Sequence, residues 1–153
     1  IEINLLKEQG CLFVEQPLKT ALTDQYEELY KKSPLPIILD ESIQQSKDLD
    51  ALSVACHGIN VKLVKCGGIT PALDLIRQAR KLRKQVLIGC MSESTCGAAG
   101  AAQLAGLADW VDLDGPKLIG NDPFGGVEYQ EGCIVVKDLP GLGIQLIDSS
   151  LFE

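Results

Sequence analysis

Ile59-Asn60-Val61-Lys62-Leu63-Val64, Thr70-Pro71-Ala72-Leu73-Asp74-Leu75-Ile76-Arg77-Gln78-Ala79-Arg80-Lys81-Leu82 and Gln85-Val86-Leu87-Ile88 follow one another in this chain and decide its architecture. The outer two runs are short and almost wholly apolar, as strands buried on both faces are. The middle one carries proline in its first turn and then Leu73, Leu75, Ile76, Ala79 and Leu82, and reads as a helix. Strand, helix and strand in that order make a parallel pair joined by a right-handed crossover.

The same unit repeats outward. Upstream, Cys11 to Val14 reads as a strand, Ala21 to Lys32 as a helix with Leu22, Tyr26, Leu29 and Tyr30 at helical spacing, and Ile37-Ile38-Leu39 as a strand freed by Pro34-Leu35-Pro36. Ser46-Lys47-Asp48 starts a helix expected to reach about Cys56, where Gly58 ends it. Downstream, Thr95 to Ala105 reads as a helix stopped by Gly106, and Asp109 to Leu113 as a fifth strand. An amphipathic helix with Ile1, Ile3, Leu5 and Leu6 precedes them, closed by Gly10. Strict alternation predicts an α/β fold with five parallel strands, too few to close an eight-stranded barrel. From Gly115 the pattern changes. Gly125 to Tyr129 and Cys133 to Val136 read as a hairpin across Gln130-Glu131-Gly132, and Pro140-Gly141-Leu142-Gly143-Ile144 turns into a terminal extension. This divides the chain into a barrel part, 1–114, and a hairpin with extension, 115–153, expected to pack on something outside the chain.

Bulk properties exclude some functions. The net charge of −7 over 153 residues argues against nucleic acid, which requires a basic stripe. The basic runs Lys31-Lys32 and Arg80 to Lys84 fall at helix ends, where they suit the macrodipole. Cys11, Cys56, Cys66, Cys90, Cys96 and Cys133 contain no C-x-x-C pair, and His57 is the one histidine, so they read as reduced thiols rather than a zinc or disulfide frame. Without a leader or a run of about 18 apolar residues, the expectation is a soluble cytoplasmic protein away from membranes. A first residue Ile1 inside a helix reads as part of a longer polypeptide.

The strand ends carry the chemistry. In a (β/α) barrel the carboxyl ends of all strands meet in one mouth. Glu15 and Asp40 end neighbouring strands; they are either solvated acids or oxygen ligands for Mg²⁺, and their repulsion favours a cation between them. Lys62 is either a lysine on an exposed edge or, facing a polar cavity near such a cation, a general base. Lys65, three residues on, is expected on the opposite face as a solvated loop lysine. Asp112 and Asp114 project to the same side, as solvated acids or as a clamp for a substrate ammonium. Gly89-Cys90-Met91-Ser92 is either a plain loop or a source of backbone amides for a substrate carboxylate.

Certain stretches, taken in order, resemble a known family. They are Phe13-Val14-Glu15-Gln16-Pro17-Leu18, Leu39-Asp40-Glu41-Ser42, Val61-Lys62-Leu63-Val64-Lys65-Cys66-Gly67-Gly68, Ile88-Gly89-Cys90-Met91-Ser92-Glu93-Ser94, Asp112-Leu113-Asp114-Gly115-Pro116 and the glycine-rich tail. Together they resemble the C-terminal portion of enolase-superfamily enzymes of the muconate-lactonizing subgroup, and within it the dipeptide epimerases of L-Ala-D/L-Glu type, to which the D-x-D points. The resemblance implies part of a TIM-like (β/α)7β barrel. It implies Glu15 and Asp40 as Mg²⁺ ligands, Lys62 as one of two opposed acid/base lysines, and Asp112 and Asp114 as holders of a dipeptide ammonium, with Cys90, Met91 and Ser92 lining the substrate. The implied reaction removes an α-proton beside a carboxylate through an enediolate and returns it from the other face.

The family's K-x-K lysine, a further metal-ligand aspartate and the N-terminal capping domain have no counterpart here. The chain alone is therefore expected to be inactive, to need that N-terminal half, and to belong to a homo-oligomer. The alternatives are an N-acylamino-acid racemase, o-succinylbenzoate synthase or cycloisomerase of the same superfamily, or, in a different class, a non-catalytic half-barrel scaffold.

Overall fold

A computed structural model describes residues 3–150. Five parallel strands, β1 (Val14–Glu15), β2 (Ile37–Leu39), β3 (Gly58–Val61), β4 (Gln85–Gly89) and β5 (Trp110–Asp112), lie side by side in sequence order. The helices between them are α2 (Thr23–Lys32), α3 (Ser46–Leu52), the one-turn α4 (Leu63–Cys66), α5 (Ile69–Lys81) and α6 (Thr95–Ala102), with α1 (Ile3–Glu8) ahead of β1. Pairing is in register from Val14 opposite Ile37 to Gly89 opposite Asp112.

Strand alternation sorts the side chains into two layers. Ile37, Leu39, Ile59, Val61, Val86 and Ile88 form one buried face and pack with Leu49 of α3 and Ala72, Leu75, Ile76 and Ala79 of α5. The alternate residues, Glu15, Ile38, Asn60, Leu87 and Asp112, share the other face. The sheet curls so far that Phe13, just before β1, and Trp110, opening β5, touch with ring centroids 4.6 Å apart. The five strands are thus a half-barrel, and the second face is its interior. Gly89 is glycine for a steric reason: a Cβ there would come within 2.6 Å of the Asn60 amide oxygen.

Several boundaries differ from the sequence reading. The helix from Ser46 stops at Leu52, short of Cys56, and Gly58 opens β3 rather than ending a helix. The helix from Thr95 ends at Ala102, and Gly106 falls in a separate 3-10 turn, Ala105–Leu107. The run Ile59 to Val64 is not one strand. β3 ends at Val61, Lys62 caps α4, and the amides of Gly67 and Gly68 both return to the Leu63 carbonyl at 2.9 Å. Gly67 at φ +97° and Gly68 at φ +120° permit that closure. Ile1 of the expected first helix lies outside the described residues.

In the tail, β7 (Glu128–Gln130) and β8 (Cys133–Val135) form the expected hairpin, turning through Glu131 and Gly132, both at positive φ. Gly125 is not part of it. It belongs to β6 (Phe124–Gly125), which pairs with β9 (Gln145–Leu146). Asp122 accepts from the Thr95 amide at 2.6 Å, and the Tyr129 hydroxyl donates to the Leu113 carbonyl at 2.6 Å. The tail therefore rests on α6 and on Leu113 just after β5 of its own chain, while Leu139, Leu146 and Ile147 stay exposed.

Candidate active site

At the carboxyl ends of β1, β2 and β3 the polar side chains close on one another. Glu15 accepts a hydrogen bond from the Asn60 amide nitrogen at 2.6 Å, across two strands. Asp40, buried at 5% exposure, accepts from the Lys62 Nζ through Oδ2 at 2.8 Å and from Lys65 through Oδ1. Gln16, held at φ +36°, accepts from the Asp40 amide at 2.8 Å and donates towards the Ser42 hydroxyl at 2.8 Å, so it ties the ends of β1 and β2.

Charge states follow from this packing. Burial alone would raise Asp40, but hydrogen bonds and attraction from Lys62 and Lys65 outweigh it and hold its carboxyl below the ordinary range. Burial would lower Lys62, yet Asp40, Glu15 and Glu41 lift its ammonium above the usual value. For Lys65 burial wins over Asp40, and its pKa falls.

The ends of β4 and β5 are looser. Cys90 accepts from the Gly115 amide at 3.2 Å, and burial pushes its thiol up. Met91 and Ser92 are exposed, and the Met91 amide is engaged by the Glu93 carboxylate at 3.3 Å. Glu93 is raised, chiefly by burial and against the pull of Lys62. Asp112 ends β5 and Asp114 caps the next 3-10 turn, both exposed, with buried Leu113 between them. They line a cavity of about 300 Å³ with Lys117, Tyr129 and Ile134. Among the described residues neither carboxylate has an ion pair. Mutual electrostatic influence connects the two halves: Glu15 and Asp40 act on Lys62, Lys62 on Glu93, and Glu93, Asp112 and Asp114 on Cys90.

Four residues escaped the sequence reading. Lys65 is not a solvated loop lysine; it is buried in the cluster, because α4 interrupts the strand and turns it back under Asp40. Asn60 could have been found as a polar residue inside a buried strand, two positions before Lys62 and on its face. Gln16 and Glu93 carry no such signal, since each acts through a partner distant in sequence or through a loop.

Among the described residues no three His, Cys, Asp or Glu side chains assemble as a metal-holding group. Two hard oxygen donors do stand on adjacent strands, and the buried Asn60 Oδ1 has no hydrogen-bond partner. This chemistry fits Mg²⁺, which takes few carboxylates and keeps several waters.

Residues 3–150 match the family described as Enolase C-terminal domain-like. An L-Ala-D/L-Glu epimerase from Bacteroides thetaiotaomicron is 42% identical over 95% of this chain and 38% of its own length. An N-acetyl-D-glutamate racemase from Pseudoalteromonas is 35% identical over 85% of this chain and 41% of its own. The crystal structure of a dipeptide epimerase from Cytophaga hutchinsonii, complexed with Mg and the dipeptide D-Ala-L-Val, superposes with a TM-score of 0.89 at 32% identity, over 98% of this chain and 43% of that one. The chain spans about two fifths of the length of these relatives. With its half-barrel of five parallel strands, the chain belongs to the Enolase C-terminal domain-like family.

Proposed function

We propose that this chain carries the carboxyl-terminal share of a Mg²⁺-dependent dipeptide epimerase, an isomerase that inverts an α-carbon beside a carboxylate. The observation that carries this reading is Asp112 and Asp114, neither in an ion pair among the described residues, lining a cavity at the carboxyl end of β5, the sheet end at which Lys62 follows β3. Two acids in no ion pair among the described residues, with the Lys117 ammonium engaged over the Tyr129 ring, suit a substrate ammonium. Glu15 and Asp40 would hold the cation, with Asn60 steadying Glu15. Bound Mg²⁺ supplies stabilisation for the charge that develops on the substrate carboxylate as the α-proton leaves. Lys62 moves a proton at one face of the α-carbon. Cys90, Met91 and Ser92 border the substrate, and Glu93 orients their loop by accepting from the Met91 amide.

Among the described residues β1 pairs only with β2 and β5 only with β4, so both edges suit further barrel strands from an N-terminal half. We assign 1–114 to the barrel and 115–153 to a hairpin and extension whose exposed Leu139, Leu146 and Ile147 suit a capping domain. We further propose a homo-oligomer in the cytoplasm, a setting that six free cysteines support. Among the described residues no helix is long and apolar enough to cross a membrane.

Solvent deuterium incorporation at the α-carbon tests the reading. The full polypeptide with Mg²⁺ should exchange L-Ala-L-Glu or a hydrophobic dipeptide, and Asp112→Asn/Asp114→Asn should lower kcat/KM about a hundredfold, from two lost charge-assisted hydrogen bonds. Exchange on N-acylamino acids alone, indifferent to that double substitution, would instead favour a racemase like the Pseudoalteromonas relative.

A further inference from the structure

Two lysines share the Asp40 carboxylate, and they are held very differently. Lys62 has a single hydrogen bond among the described residues, to Oδ2 at 2.8 Å. Lys65 has four acceptors around its three N–H groups: Asp40 Oδ1, the Asp40 carbonyl at 2.7 Å, the Asn60 carbonyl at 3.1 Å and the Ile43 carbonyl at 3.4 Å. Its side chain is 8% exposed, against 12% for Lys62. A buried ammonium surrounded by acceptors from the loop after β2 and from β3 has one available position. Lys62 can leave its partner by rotating its own side chain.

We propose that Lys65 is a positioning residue for the cation site, fixing Asp40 through Oδ1 and leaving Oδ2 as the oxygen for which Lys62 and a divalent cation compete. This rests on the reading of Glu15 and Asp40 as cation ligands. The same lysine reaches the other acid indirectly. It grips the backbone of Asn60, whose side chain donates to Glu15. One ammonium therefore sets the spacing of both carboxylates. Groups that orient metal ligands in this way typically change metal affinity ten- to a hundredfold when removed.

The test measures Mn²⁺ binding by electron paramagnetic resonance in the full polypeptide without substrate, beside thermal unfolding. Lys65→Met should raise the Mn²⁺ Kd roughly ten- to a hundredfold. Lys65→Arg should recover part of that loss, and exchange at saturating metal should change less than Kd does. A folded Lys65→Met protein with native Mn²⁺ affinity overturns the inference. If Lys65→Met does not fold, Asp40→Asn/Lys65→Met decides. Recovery of the fold shows that Lys65 acts through the Asp40 charge; failure of both shows that it serves the backbone carbonyls and overturns the inference. Native affinity in Asp40→Asn alone would instead remove the cation reading on which the inference stands.

Discussion

The two ends of the five strands use polar residues for opposite purposes. At the amino ends each polar side chain completes backbone hydrogen bonding. His57 Nδ1 accepts from the Ile37 amide at 3.0 Å, Lys84 donates to the Cys56 carbonyl at 2.7 Å, and Asp109 accepts from the Val86 amide at 2.7 Å. At the carboxyl ends side chains meet one another, Glu15 with Asn60 and Asp40 with Lys62 and Lys65, and of these Lys65 alone is also held by backbone carbonyls. A polar group saturated by backbone is committed to the fold. One held by another side chain can exchange that partner for a ligand. The difference supports the proposal that the carboxyl ends form the reactive face, and it matches the general asymmetry of such barrels.

The comparison predicts that substitutions at the two ends damage different properties. The largest effect belongs to Lys62→Met. Loss of a group that transfers the proton should lower α-carbon exchange on a dipeptide about 10²- to 10⁴-fold. Lys65 still neutralises Asp40 in that variant, so the melting temperature should change little. A Lys62→Met protein that unfolds readily yet keeps its exchange rate would make the carboxyl ends structural too, and the contrast would fail.

How far each end was legible in the sequence follows from what its residues depend on. Glu15, Asp40 and Lys62 stand out because a charge directly after an apolar run is locally visible. The alternation of runs and helices likewise exposes all five strands. Lys65 was misplaced because counting by twos assumes that the strand continues, whereas α4 takes over after Lys62. The paired glycines that allow this turn were visible, but their effect on the lysine before them depends on the third dimension. Gly125 was assigned to the neighbouring hairpin because its true partner, Gln145, lies across a non-local pairing that no local pattern reports. Asn60 and Gln16 matter through partners on other strands. Asn60 at least stands out as a polar residue inside a buried strand, whereas Gln16, outside any strand, gives a single sequence no such sign.

Asp109→Ala should show the reverse of Lys62→Met. Its carboxylate receives the Val86 amide and an Arg80 N–H, each at 2.7 Å, and Val86 is fully buried. Removing it leaves a buried amide unsatisfied, which costs about 1–2 kcal/mol; the half-exposed Arg80 pair adds little. Denaturant unfolding should register this loss while dipeptide exchange per folded molecule stays native. A fall in exchange larger than the fall in folded population would show that the amino ends also shape the reactive face.

The smallest effect, and the finest test of the contrast, is a pH dependence at His57. Burial first, and then the charge of Lys84, lower its pKa below the ordinary 6.5. The imidazole is held neutral because Nδ1 must accept from the Ile37 amide, and its ring lies 4.3 Å from that of Tyr30. The sign follows from proton uptake. Below about pH 6.5 the unfolded chain binds a proton that the folded chain resists, so this contribution to stability is complete above that pH and declines as pH falls towards the folded value. His57→Gln, which does not titrate, should flatten the decline in the denaturant midpoint between about pH 7.5 and 5, by less than Asp109→Ala lowers it. Equal slopes in the two proteins would mean that protonated His57 keeps an acceptable place in the fold. The amino ends would then tolerate a change of partner, the property that the contrast reserves for the carboxyl ends.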